Sequence, residues 1–319
     1  MPRTFRRAYV LGAYLPNGGT WMAYHLGAIL ARDFGIETIA VTFGAEGPDD
    51  GIHRYDLRLP SQPVAQMERE VGADDLLLIN PSFSPQQFGW RLPGTKLSYV
   101  QDFKTFALLD RKIDHYVAVS DFVRDFLRTV YAIDAPVVPA FIELDDLPPA
   151  PPWRERPAHA VLPYRKGMAE VWELSYAHVR ASLAQRAPHI QLLEPLPASG
   201  LAQRELLARL GQARYFLTLS AAEGFGLVPL EAMAMGTVAI GYDAFGGRQY
   251  FRDGANAFVA PYPDIDGVVE RVIAAVADAE RAERVAAAGR ATAAQYGYAA
   301  FRERWIEQFQ RLLGIERKG

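Results

Sequence analysis

Ser220-Ala-Ala-Glu223-Gly224-Phe225-Gly226-Leu227-Val228-Pro229-Leu230-Glu231-Ala-Met-Ala-Met-Gly236, followed by Thr237-Val-Ala-Ile-Gly241 and by Gly246-Gly247, is the stretch whose reading decides the fold. The apolar run Tyr215-Phe-Leu-Thr-Leu219 just before it has the character of a buried strand. Gly224 and Gly226 mark a loop. Pro229 suits the first turn of a helix, where a missing N–H costs nothing, and Gly236 suits its end. Residues 237–241 then read as the next buried strand. The unit is strand, glycine loop, short helix, strand.

Such a unit is built to hold a ligand. Glycines let the backbone approach a bound group, and a helix N-terminus offers unpaired N–H groups with a partial positive charge, which suits phosphate. Loops at the carboxyl ends of parallel strands are where α/β folds bind their ligands. Glu223 lies in that loop. Glu231 lies about one turn into the helix, where an acid also has the plainer role of favouring the helix dipole.

Glu223 and Glu231, with seven residues between them in this glycine-rich setting, resemble the Glu-x7-Glu segment of retaining GT-B glycosyltransferases, most closely the large family 4 of nucleotide-sugar-dependent enzymes. Gly246-Gly247, Asp253-Gly254-Ala-Asn256 and Phe258-Val259 add to the resemblance, which is strong over 158–262 and weaker over 1–145. It implies an α/β GT-B fold of two Rossmann-like domains facing a central cleft. Residues 1–147 would form an acceptor-side domain, 156–295 a donor-binding domain, and a last helix at 296–315 would pack back on the first.

The resemblance also implies roles. Glu223 would hold the donor sugar near its reacting carbon and Glu231 the donor ribose hydroxyls. Gly224 to Val228 would line the donor, with backbone N–H groups from Gly226, Leu227 and Val228. Arg165 and Lys166 would neutralise the leaving diphosphate, although two such cations usually stand farther apart. Gly18 and Gly19, after the first strand, would close on the donor phosphates or the acceptor; Gln101 and Asp102 would lie near acceptor and sugar. Gln101 stands where the family often has His and cannot act as a base. Gln249 stands where it often has Glu. The implied activity is transfer of a sugar from a nucleoside diphosphate sugar to the hydroxyl of a glycan or glycolipid acceptor. A nucleotide-sugar epimerase or hydrolase, or a non-catalytic nucleotide-sugar binder, are the rival readings.

Composition sets bounds. A length of 319 residues favours two domains, and 50% apolar with 22% charged residues is globular. A net charge of −3 argues against a general nucleic-acid binder. The absence of cysteine removes disulfides and thiolate chemistry and fits a cytoplasmic protein, by the resemblance at the inner face of a membrane. Arg3, Arg6 and Arg7 before the apolar residues 8–15 imitate a signal peptide, but a turn and a helical pattern follow in place of a cleavage site, so 7–14 reads as strand. No apolar run approaches the roughly 20 residues that span a bilayer. No metal cage and no cofactor beyond the donor substrate are expected; Asp264 and Asp266 read as acids at a helix start.

Along the rest of the first half, a turn at 16–20 precedes a helix carrying Met22, Leu26, Ile29 and Leu30. Strands are expected at 36–43, 55–59, 75–79, 96–100, 116–119 and 136–142, with a glycine-rich loop at 44–51, a short helix at 64–71 and irregular chain at 80–93. Ser120 reads as the N-cap of a helix, and His115 as structural. Lys104, Arg111 and Lys112 interleave with Phe103, Phe106, Leu108 and Leu109, a pattern for a membrane surface or for an ordinary amphipathic wall. The charged, proline-rich 143–157 reads as an interdomain linker. In the second half, strands at 158–162, 189–193 and 258–260 and helices at 168–184, 202–210, 265–288 and 296–313 complete the pattern, with Gly289 as a helix stop.

Overall fold

The computed structural model describes residues 3–12, 18–44, 59–104 and 108–318. The chain divides into two compact units, Met1–Ala140 with Ala299–Gly319, and Phe141–Tyr298. The expected turn at Pro16-Asn17, the loop at 45–51, residues 55–58 of an expected strand, and Phe106 lie outside the described residues.

The first unit holds a parallel sheet of β1 (Arg7–Leu11), β2 (Glu37–Thr42), β3 (Ser61–Pro63), β4 (Asp75–Ile79), β5 (Thr95–Val100) and β6 (His115–Ala118), ordered β3-β2-β1-β4-β5-β6. Its helices are α1 (Gly18–Asp33), α2 (Val64–Glu70), α3 (Phe88–Arg91) and α4 (Asp121–Tyr131). A parallel sheet is covered on both faces, so its central strands are buried along their length; every residue of β4 and β5 is buried, including Asp75, Lys96 and Ser98. Ser120 caps α4, its Oγ accepting the Val123 N–H at 3.2 Å. The final helix, Tyr298–Leu313, packs on this unit through fully buried Trp305, whose ring meets Tyr99 edge-on at 4.9 Å. Arg302 pairs with the buried Asp33 at the end of α1.

The second unit repeats the plan. Its sheet contains β7 (Ala160–Arg165), β8 (Gln191–Leu192), β9 (Leu196–Pro197), β10 (Tyr215–Thr218), β11 (Val238–Tyr242) and β12 (Phe258–Ala260), in the order β12-β11-β10-β7-β8 with β9 also on β7. Helices α5 (Ala169–Arg186), α6 (Gln203–Gln212), α7 (Leu227–Ala234), α8 (Ile265–Ala277) and α9 (Ala279–Ala293) cover it. One apolar core lies among Val161, Leu217, Ile240 and α8; another joins Leu162 and Phe216 to α6 and α7. Among the described residues no helix is long and apolar enough to cross a membrane.

Several sequence expectations need correction. The chain at 80–93 is not irregular: a 3-10 turn at Pro81–Gln86 is capped by Asn80, and α3 follows. The strand expected at 136–142 is reduced to a bridge between Val137 and Ala118; Pro136 and Pro139 lack the N–H a ladder needs. The helix expected at 265–288 is two, because Asp278 accepts the Arg281 N–H at 2.9 Å and restarts the chain as α9. Gly289 does not stop that helix. It sits inside α9, where a Cβ would lie 3.0 Å from the Asn256 carbonyl oxygen, so glycine serves a close crossing.

The proline-rich 143–157 is not a free tether. Trp153 packs against Tyr215 with rings at 6.0 Å, and Arg156 is buried with its guanidinium donating to the carbonyls of Pro151, Ala213, Met235 and Gly236. The carbonyls of Ala213, Met235 and Gly236 end α6 and α7, so one side chain satisfies several orphan acceptors at once. Arg156→Ala should therefore lower unfolding stability by roughly 2–4 kcal/mol, measured by urea denaturation. A linker residue would change it by under about 0.5 kcal/mol.

Candidate active site

β7, β10 and β11 run parallel, with Thr218 beside both Tyr164 and Gly241, so their carboxyl ends open on the same edge. Lys166 follows β7, Glu223 follows β10 and Asp243 follows β11. Gly167, at φ 101°, leaves room for this convergence: a Cβ there would lie 3.3 Å from Ser220 Oγ.

The Glu223 loop is tied down at both ends of its peptide. Its N–H donates to the Ala244 carbonyl at 2.9 Å, and its carbonyl accepts from Gly246 at 3.1 Å. Gly246 must be glycine, because a Cβ would sit 2.4 Å from the Gly224 carbonyl. Phe245, at φ 63° and ψ −62°, adopts a γ-turn closed by the 2.8 Å bond from Gly246 N–H to the Ala244 carbonyl, a rare and strained geometry. Asp243 braces it, accepting the Phe245 N–H at 3.2 Å and pairing with Arg248 at 2.6 Å.

The Glu223 carboxylate is shared. Ser220 Oγ donates to Oε1 at 2.7 Å, and Lys166 Nζ lies 3.2 Å from Oε2. The glutamate side chain is 16% exposed and the lysine 36%, so both reach solvent. Burial opposes the Lys166 charge, but the nearby Glu223 carboxylate, with Tyr164 and Glu231, outweighs it and raises the ammonium pKa. Tyr164 beside it is pushed up to about 12 by burial.

α7 begins where this carboxylate ends. Gly226, at φ 89°, is its N-cap residue in a left-handed conformation, and the buried Tyr250 hydroxyl donates to the Gly226 carbonyl at 2.6 Å. The Phe225 ring turns inward onto Tyr250 and Tyr296, and the Val228 side chain enters the core. These residues can therefore serve a ligand only through their backbones. Gly224 is buried, and Leu227 is half-buried at the helix start. Glu231 is buried in the second turn of α7, where Gln203 Nε2 donates to it.

Arg165 is not brought to this group. Side chains alternate along a strand, and Arg165 turns outward to Glu173 at 2.5 Å, with its guanidinium over the Trp172 ring. In the first unit Gly18 and Gly19 are the first residues of α1 rather than a separate turn. Gln101 follows β5 and donates to the Gly19 carbonyl at 3.0 Å. Asp102 accepts the Phe103 and Lys104 N–H groups at 2.7 and 3.3 Å, which bends the chain. Sequence reasoning gave no role to Ser220, Tyr250 or Gln203. Ser220, three residues ahead of Glu223, had a local signal; Tyr250 and Gln203 reach the site only through the fold. Among the described residues no group of three or more acids and histidines is placed to hold a metal ion.

Residues 199–292 match the family model described as Glycosyl transferases group 1. The matched segment carries both Glu223 and Glu231. A curated relative, "Putative glycosyltransferase 41" of a Sulfolobus islandicus filamentous virus, is 42% identical over 53 residues, which is 17% of this chain and 16% of that protein. Among solved structures, Anabaena HepE in complex with UDP and glucose superposes with a TM-score of 0.75 at 13% identity, covering 96% of this chain and 100% of that one. A mutant of S. aureus TarM, in complex with fondaparinux, alpha-GlcNAc-glycerol and UDP, gives 0.61 at 13% identity, over 78% of this chain and 58% of that one. These identities establish likeness of fold, and the fold is that of GT-B glycosyltransferases.

Two measurements check the geometry. Tyr250→Phe keeps the ring but removes the donor to Gly226, so it should cost about 1–2 kcal/mol in urea denaturation. Lys166 has a raised folded pKa, so its contribution to stability is complete below the ordinary value of 10.5 and is lost as pH rises through the raised one. Wild type should consequently lose more stability than Lys166→Met as pH rises above the ordinary lysine value of 10.5; parallel curves there would contradict the pairing.

Proposed function

We propose that this chain is a retaining glycosyltransferase that moves a sugar from a nucleoside diphosphate sugar to an acceptor hydroxyl. The observation that supports it best is the convergence of Glu223, Lys166 and the N-terminus of α7 at one edge of the second unit's sheet. The bond between the anomeric carbon and the diphosphate oxygen breaks, negative charge grows on that oxygen, and a bond forms to the acceptor oxygen. Lys166 and the N–H groups at the start of α7 meet the growing charge. The leaving diphosphate takes the acceptor proton, so Gln101 need not act as a base.

Binding the donor exchanges partners. Lys166 leaves part of its attraction to Glu223 for the diphosphate, and Glu223, still oriented by Ser220, turns to the sugar hydroxyls. Glu231, held by Gln203, takes the ribose hydroxyls. Arg165 has no part in this proposal, since its charge is engaged by Glu173. The UDP and glucose named with HepE make a UDP-hexose the first donor to test. The acceptor is a glycan or glycolipid hydroxyl, in polysaccharide or glycolipid assembly.

Glu223→Gln and Lys166→Ala should each lower kcat by about 10²–10³-fold, the scale of losing one preorganised charge-stabilising group, while thermal unfolding stays cooperative. The assay is transfer from UDP-glucose, or from GDP-, dTDP- or ADP-sugars if thermal shift selects one of those. Full turnover by both variants with a donor that wild type uses would overturn the assignment.

A further inference from the structure

β8 is the last strand of the second unit's sheet, paired with β7 on one side. The N–H groups of Gln191 and Leu193 donate to the His159 and Val161 carbonyls at 2.8 and 2.9 Å, so the N–H of Leu192 between them points away from the sheet. Ile190 joins a core with Leu183 of α5, and Leu192 packs against the same core. On α5, Tyr176, Arg180 and Leu183 are spaced by four and then three residues, which sets them on one face of the helix. Between that face and β8 runs a groove of about 460 Å³, a volume in the range of small-molecule sites. The buried Leu183 and Ile190 make its floor, and Tyr176, Arg180, Leu192 and Glu194 line it. Glu194 lies just past the end of β8, and Leu196 pairs beside Tyr164, so the groove ends at the carboxyl end of the sheet, as the Lys166 loop does.

The polar part of the groove has a fixed backing. Tyr176 stacks on Trp172 with ring centres 4.6 Å apart and planes inclined by 19°, and the Trp172 indole N–H donates to the Tyr164 carbonyl at 2.8 Å. Burial raises the pKa of the Tyr176 hydroxyl; Arg180 opposes the rise, and Glu194 and Glu173 add to it, so both groove charges act on this one oxygen. Glu173 is engaged by Arg165, whereas Arg180 and Glu194 are exposed on the groove itself.

One cation and one acid together suit a neutral ligand. A phosphate or carboxylate drawn by Arg180 would meet Glu194, and an acyl chain would strip water from both charges. A peptide added along β8 would find a strand of only two residues to pair with, too short a template. A sugar hydroxyl both donates and accepts, so a saccharide answers an all-donor guanidinium and an all-acceptor carboxylate at once. Its C–H face covers the tyrosine ring and the aliphatic floor.

We propose that the groove between α5 and β8 is a saccharide site separate from the candidate active site, taking a neutral oligosaccharide against Tyr176, Arg180 and Glu194. Binding there does not depend on the transferase reading. On that reading, the groove holds a stretch of the glycan chain at the same end of the sheet as Lys166 and Glu223.

The test is saturation-transfer NMR of the full chain, without nucleotide, against neutral hexasaccharides of glucose, mannose, galactose and N-acetylglucosamine and against acidic oligogalacturonate. Wild type should bind at least one neutral hexasaccharide, and bind oligogalacturonate more weakly. Tyr176→Ala should lower the association constant about tenfold, and Tyr176→Phe, which keeps the ring, should retain most of it. Arg180→Ala and Glu194→Ala should each lower it about fivefold or more. Arg180 and Glu194 are exposed, so unchanged thermal unfolding of their variants separates lost binding from lost fold. Lys166→Ala and Glu223→Gln should leave this binding unchanged, so it is read independently of sugar transfer. Absence of binding to every neutral hexasaccharide, binding that Tyr176→Ala, Arg180→Ala and Glu194→Ala all retain, or tighter binding of oligogalacturonate would overturn the proposal. Binding that only Lys166→Ala or Glu223→Gln abolishes would also overturn it, by placing the saccharide in the candidate active site.

Discussion

Gly246 and the peptide after Glu223 approach each other more closely than any side chain would allow, and the candidate site rests on that contact. It clamps the loop after β10 to the loop after β11 through backbone hydrogen bonds at both ends of Glu223. With its backbone fixed, Glu223 can direct one oxygen to Ser220 and the other to Lys166. The clamp carries strain at Phe245, and Asp243 with Arg248 holds that strained turn in place. The sheet supplies the rest, since parallel neighbours necessarily deliver their loops to one edge.

The surroundings explain how a charged pair persists in a partly buried place. Lys166 and Glu223 each neutralise the desolvation cost of the other, and both keep contact with solvent. On the proposed function a diphosphate would take the place of Glu223 beside Lys166, while Glu223 keeps its bond from Ser220 and its contact with solvent. The half-exposed start of α7 sits beside them, with Gly226 fixed by Tyr250. Hence the same edge offers a fixed dipole, a cation and an oriented carboxylate.

Much of this was legible in the chain. Runs such as Leu76–Ile79 and Val238–Tyr242 are apolar throughout, as a strand covered on both faces requires, and they became central strands. Glycine at 226 and proline at 229 placed the loop and the helix start, and the GT-B fold followed from the residues around them. Lys166 was legible by position, but its adjacency to Arg165 hid the fact that strand alternation sends one cation to Glu223 and the other to Glu173. Tyr250 and Gln203 were invisible because their contacts cross 24 and 28 residues and leave no local pattern. The proline-rich 143–157 misled for a related reason: composition marks an extended chain, but Arg156 anchors it through carbonyls that only the folded helices present. Asp278 and Gly289 show the same limit, since a cap and a close crossing are both properties of neighbours.

The most direct test of the central claim is a crystal structure of the chain with bound UDP. The account predicts phosphate oxygens within hydrogen-bond distance of Lys166 Nζ and of the N–H groups at Gly226 to Val228, with the ribose beside Glu231. UDP bound elsewhere, with Lys166 and Glu223 still paired to each other and the start of α7 facing only solvent, would contradict it.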